Sequence, residues 1–215
     1  SANDASVLIG EGIAGSHQEF VKMMNEKAKQ LKLVNTHFKN CTGLHDVEHY
    51  TCAKDLATMG AYLIKIGGEK LFSVTSLYDS YIREKNHQKF WLVNTNKLLK
   101  QYEFCTGGKN GYTPSAGKTL VTTASKDDLN LTIVTLKDSD EYNTHKELYE
   151  LMFNKYKYYK LVDKDNFNID NKKLKDKVYI KNSFTYPLTN EEKEHIMIDT
   201  KVDTSIKKGK VGYIS

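Results

Sequence analysis

The chain has 215 residues, room for one medium domain or for one domain with a small module. A hydrophobic content of 39%, with only two prolines and 13 glycines, supports a core and argues against disorder. The net charge of +5 (32 basic against 27 acidic residues) resides in residues 154–182, where nine lysines meet four aspartates, and Arg83 is the only arginine, so a base-reading nucleic-acid surface is not expected.

In chain order, the spacing predicts a short helix over residues 3–14. Ser16 and Glu19 form a capping-box pattern, and Phe20, Met23, Met24, Ala28 and Leu31 then recur at helical spacing, so a second helix runs to about Leu31. Residues 33–50 read as loop, with a turn at Thr42-Gly43. Thr51 is placed to cap a third helix, whose face is Ala53, Leu56, Ala57, Gly60, Leu63 and Ile64; Gly67-Gly68 is expected to end it near Ile66. His37, His45 and His49 lie close to Cys41, Asp46 and Glu48, but without the spacing of a zinc site, so no metal is expected. Cys41, Cys52 and Cys105 form no C-x-x-C pair, and an odd count offers no disulfide framework.

Two strands are predicted at Ser80–Arg83 and Phe90–Val93. The runs Leu120–Ser125 and Leu129–Leu136 make a hairpin about Lys126-Asp127-Asp128, and the apolar end of the second run suggests an interior strand covered by helices. Thr144 and Glu147 suggest a capped helix to about Tyr156. Beyond Leu161 the chain turns Lys/Asp/Asn-rich, with short alternating runs at Lys177–Ile180, Ile196–Asp199 and Val211–Ile214. The expected division is therefore residues 1–160 and a small β module over 161–215. No run reaches the roughly 18 apolar residues of a membrane span.

The stretch with most chemical content is Gly107-Gly108-Lys109-Asn110-Gly111-Tyr112-Thr113, directly before a β-type run. Glycine lets a backbone approach a ligand closely, and the lysine supplies a point charge for an anion. Upstream stand Ser1-Ala2-Asn3, then Thr42-Gly43-Leu44 and His49-Tyr50-Thr51; Asn94-Thr95-Asn96-Lys97-Leu98-Leu99 comes just before the lysine. In this order and separation the chain resembles the D-alanyl-D-alanine carboxypeptidases, low-molecular-mass penicillin-binding serine peptidases. Their motifs are Ser-x-x-Lys, Ser-x-Asn and Lys-Thr-Gly. Ser1-Ala2-Asn3 matches the second, and Lys109-Asn110-Gly111 matches the third with asparagine for threonine. The first is absent upstream of Ser1. Ser115-Ala116-Gly117-Lys118 and Ser205-Ile206-Lys207-Lys208 match it only by accident, since neither lies at a helix start. The simplest expectation is the C-terminal part of a longer enzyme.

The resemblance implies an α/β (α+β) fold. A β-lactamase/transpeptidase-like domain, N-terminally incomplete, has an antiparallel sheet flanked by helices and is followed by a small C-terminal β domain, whose final hairpin Lys207–Gly212 resembles. It implies acyl transfer from a peptidoglycan stem peptide ending in D-Ala-D-Ala, acylation by β-lactams, no cofactor and no metal. The location implied is extracytoplasmic, at the cell wall or outer face of the bacterial cytoplasmic membrane, with peripheral membrane association through a later segment that this chain does not contain. Ser1 would relay a proton, Asn3 would orient the substrate amide, and Lys109 would hold positive potential near the substrate carboxylate. The Tyr112 N–H would donate to the oxyanion, and Asn110, Gly111 and Thr113 would line the substrate. Asn110 suggests altered carboxylate or β-lactam affinity. Without the N-terminal part, an apolar sheet edge and helix faces would be uncovered, so the isolated chain is expected to fold poorly. The alternatives are a non-catalytic peptidoglycan-binding or scaffold protein on the same fold, and a cationic surface-binding module over residues 154–182.

Overall fold

The computed structural model describes residues 2–83, 88–169, 174, 177–206 and 209–214. The chain divides into two compact units, Ser1–Glu150 and Leu151–Ser215.

The first unit opens with α1 (Asn3–Ala14) and α2 (His17–Gln30), which pack together. Ser16 accepts from the Glu19 N–H and so starts α2 as its capping pattern predicts. The loop that follows is held by side chains. Asn25 bonds both the N–H and the carbonyl of Phe38, and the Ser6 hydroxyl donates to the Cys41 carbonyl. Buried Asp55 accepts from the Asn35 N–H and the Thr36 hydroxyl, each at 2.8 Å.

α3 (Ala53–Thr75) departs from expectation at both ends. Cys52, not Thr51, occupies the cap; the Thr51 hydroxyl meets that of Thr36 at 2.9 Å. Gly68 leaves helical geometry at φ 49°, ψ −143°, but the helix resumes beyond it. Glycine takes that excursion without a Cβ clash, so it kinks the helix and does not end it.

β1 (Asp79–Arg83) and β2 (Lys89–Val93) form a separate antiparallel hairpin with much apolar surface exposed. α4 (Leu98–Gln101) follows a short loop pinned by buried Asn96, whose Oδ1 accepts from the Leu98 N–H. β3 (Cys105–Thr113), β4 (Gly117–Lys126) and β5 (Leu129–Leu136) make an antiparallel sheet in that order. Among the described residues β5 pairs only with β4, so there it lies at a margin of this sheet and not between two strands as expected.

Strand alternation sorts the sheet into two faces. α3 covers the face that carries Thr132, and α5 (Glu141–Lys155) covers the face that carries Leu120 and Thr122. There Thr122 meets His145 Nδ1 at 2.7 Å and the Tyr149 hydroxyl at 2.8 Å, while Thr135 meets His145 Nε2 at 3.1 Å. Tyr149 stacks on Tyr102, and Leu98 and Leu120 fill the same core. α5 begins at Glu141, ahead of the Thr144 box, because the Asp140 carbonyl already accepts from the Thr144 N–H.

In the second unit, β6 (Lys157–Val162) pairs with β7 (Phe184–Leu188), and β8 (Thr200–Val202) pairs with β9 (Gly212–Ile214). α6 (Asn190–Glu194) lies between the two pairs in sequence, with a complete Thr189–Glu192 capping box. The runs Lys177–Ile180 and Ile196–Asp199 are not strands: they alternate in sequence but have no partner strand beside them among the described residues. Gly212–Ile214 agrees with the third run; Lys207 and Lys208 lie outside the described residues. Among the described residues no helix is long and apolar enough to cross a membrane, and no cluster of His, Cys, Asp and Glu could hold a metal ion.

Candidate active site

β3 carries the Lys-Asn-Gly motif along a free edge of the sheet, since among the described residues only β4 pairs with it. Lys109 opposes Val121, Asn110 opposes Leu120, and Gly111 opposes Thr119. The strand therefore sends Lys109 to the α3 face and Asn110 to the α5 face. Gly108 allows the close approach of β3 to β4. Its φ is +146°, and an added Cβ would lie 2.3 Å from the Val121 carbonyl oxygen.

Lys109 is exposed and donates to the neighbouring Asn110 carbonyl. Partial desolvation beside the strand draws its pKa below the ordinary lysine value. Gly111 leaves room for the Thr119 hydroxyl, which a Cβ there would approach to 2.8 Å. Tyr112 is exposed beyond it, and the Thr113 hydroxyl accepts from the Ala116 N–H to close the turn into β4.

Asn110 is half-buried, and its Oδ1 accepts from the Thr95 hydroxyl at 2.6 Å. Thr95 is held in turn by its loop: its carbonyl accepts from the Tyr142 hydroxyl at 3.3 Å, and Asn96 beside it is buried. These groups line an open cleft of about 590 Å³ on the α5 side of β3, with Tyr78 and Val93 on the hairpin side. Lys97 and Lys118 also line it, and Lys118 pairs with Glu141 at 3.2 Å.

The structure thus brings Lys109, Asn110, Gly111, Tyr112 and Thr113 together on one edge strand. Asn3 is the first residue of α1, and among the described residues no hydrogen bond joins it to that strand. Ser1 lies outside the described residues. Thr95, Lys97 and Tyr142 are additions to the expected set. The first two stand in the segment 94–99 that precedes the lysine motif, which is the signal that pointed towards them; nothing local in the sequence marks Tyr142.

The D-alanyl-D-alanine carboxypeptidase family matches residues 1–140. D-alanyl-D-alanine carboxypeptidase DacF of Bacillus subtilis (strain 168) is 50% identical over 126 residues, which are 59% of this chain and 32% of that protein. DacC of Escherichia coli (strain K12) is 33% identical over 144 residues, 63% of this chain and 33% of that protein. The chain thus spans about a third of the length of these curated relatives. Among solved structures, penicillin binding protein 5 from Haemophilus influenzae is similar with a TM-score of 0.74 at 24% identity, over 99% of this chain and 65% of that one. Penicillin binding protein 6B from Escherichia coli gives 0.72 at 24% identity, over 99% of this chain and 60% of that one. The mixed helix and antiparallel-sheet architecture is therefore the transpeptidase-like fold that the sequence resemblance implies.

Proposed function

Because the chain belongs to the D-alanyl-D-alanine carboxypeptidase family, we propose that it is part of a serine-type enzyme that removes the terminal D-alanine from peptidoglycan stem peptides. The observation that carries this reading is the edge strand β3, which presents Lys109, Asn110 and Gly111 in the family's motif order on a margin that is unpaired among the described residues. An extended peptide can lie along such an edge and bond to its backbone.

In this reading the serine of a Ser-x-x-Lys segment, which precedes Ser-x-Asn in the family, attacks the carbonyl of the penultimate D-alanine. The carbon–nitrogen bond breaks, the free D-alanine leaves with a proton, and water hydrolyses the resulting ester. Ser1 relays the proton to the leaving nitrogen, and Asn3 orients the substrate amide. Lys109 supplies positive potential, and the Tyr112 N–H is one oxyanion donor. Asn110, Gly111 and Thr113 hold the terminal peptide. β-Lactams acylate the same serine. The work is extracytoplasmic, at the cell wall, with residues 1–160 as a peptidase domain and residues 161–215 as a β module.

The test is labelling by a fluorescent penicillin, of this chain and of the protein translated from the start of its reading frame. Labelling of the longer protein that disappears on Lys109→Ala supports the enzyme reading. Labelling of neither favours a non-catalytic peptidoglycan-binding protein, a reading that Asn110 in place of the motif's threonine would suit.

A further inference from the structure

Asn110 differs from a threonine in having two polar ends that do opposite things. Its Oδ1 is an acceptor and is already engaged by the Thr95 hydroxyl at 2.6 Å. Its Nδ2 is a donor, and among the described residues no acceptor bonds to it. An amide with its oxygen fixed has its nitrogen fixed as well, because the two share one plane. We propose that Thr95 is a positioning residue that locks the Asn110 amide so that Nδ2 donates to the terminal carboxylate of the ligand peptide in the cleft beside β3. This rests on the carboxypeptidase reading and deepens it.

The charge of the lining favours a carboxylate as the occupant. Lys97 and Lys118 line the cleft against the single carboxylate of Glu141, so the lining carries net positive charge. Lys118 and Glu141 neutralise each other at 3.2 Å, which leaves the Lys97 ammonium, with no ion-pair partner among the described residues. The lock is also built at both ends: Asn110 sits in a paired strand, while the Thr95 carbonyl is tied to Tyr142 on α5 and the adjoining Asn96 is buried. A threonine at position 110 would present one rotating hydroxyl; here Thr95 supplies the hydroxyl and Asn110 the donor, so the two positions act as a pair.

The test is binding, to the protein translated from the start of its reading frame, of a peptide ending in D-Ala-D-Ala and of the same peptide with its terminal carboxylate amidated. The unsubstituted chain is expected to prefer the carboxylate by about tenfold or more, the usual worth of a hydrogen bond to a charged group. Thr95→Val should reduce that preference about fivefold, and Thr95→Ser, which keeps the hydroxyl, should restore it. In an Asn110→Ala background, Thr95→Val should add less than about twofold, because the pair acts as a unit. A purely structural role for Thr95 would instead weaken both peptides alike and add in full to Asn110→Ala. That result, or equal binding of the two peptides by the unsubstituted chain, overturns the inference while the carboxypeptidase reading stands. Binding of neither peptide overturns both.

Discussion

Lys109 gives up its proton more readily than an ordinary lysine, because desolvation beside β3 disfavours the ammonium. Carboxylate binding that depends on this charge should therefore decline, as pH rises, before an ordinary lysine would titrate. Arginine stays charged throughout, so Lys109→Arg should move the alkaline limb of peptide binding upward; an unmoved limb would show that Lys109 does not set it. His145 acts on stability. Burial holds its pKa at about 4, against the partial opposition of Asp138 and Glu141. In the unfolded chain it titrates near 6.5, so between these values the unfolded state binds the extra proton. Stability is thus intact above about pH 6.5 and is lost as pH falls towards 4, with an upper bound of about 3 kcal/mol. Urea unfolding from pH 4 to 7 checks this, and His145→Gln should flatten that part of the profile. Its partner Thr122 is fully buried. Thr122→Val would remove the hydroxyl that meets His145 Nδ1, at a cost of about 1–3 kcal/mol at neutral pH.

Two positions in the β-structure carry distinct consequences. The β4–β5 hairpin closes through Asp127 and Asp128, with φ of 50° and 65°, in a two-residue turn that favours glycine at its second position. Asp128→Gly should stabilise the chain by up to about 1 kcal/mol, read as a rise in the urea midpoint at unchanged slope. Gly108→Ala should do the reverse, since its Cβ would press on the backbone of β4 and push Lys109 out of register. The helices α1 and α2 were legible in the sequence because Ser16 and the apolar spacing are local signals. The extent of α3 was not: Gly67-Gly68 reads as a stop, while Leu71, Phe72 and Val74 behind it resume an apolar helix. The start of α5 was hidden for a similar reason, since Thr144 and Glu147 spell a cap that Asp140 pre-empts. Residues 177–180 alternate like a strand, but a strand needs a neighbour that alternation cannot supply. At the site, the motif located β3 and its lysine, whereas the face taken by Asn110 and its bond to Thr95 depend on register and on a loop 15 residues away in sequence.

The two units differ in how much apolar surface they bury. Among the described residues, nine of the buried apolar side chains belong to Ser1–Glu150, whereas Phe153 and Leu188 are those of Leu151–Ser215. Calorimetry should therefore resolve two transitions, the lower one assigned to residues 151–215; a single two-state transition would show that the units unfold together. Exposed Leu8, Ile9 and Ile13 on α1 and Phe90 and Val93 on β2 add an association hazard. The same hairpin carries the chain's single tryptophan, Trp91, 62% exposed and two residues from Val93 at the cleft wall. Its indole is thus a built-in fluorophore with one address: emission should be red-shifted and open to acrylamide quenching in the free chain, and anything that settles over β2 should shift it to the blue without any label being attached.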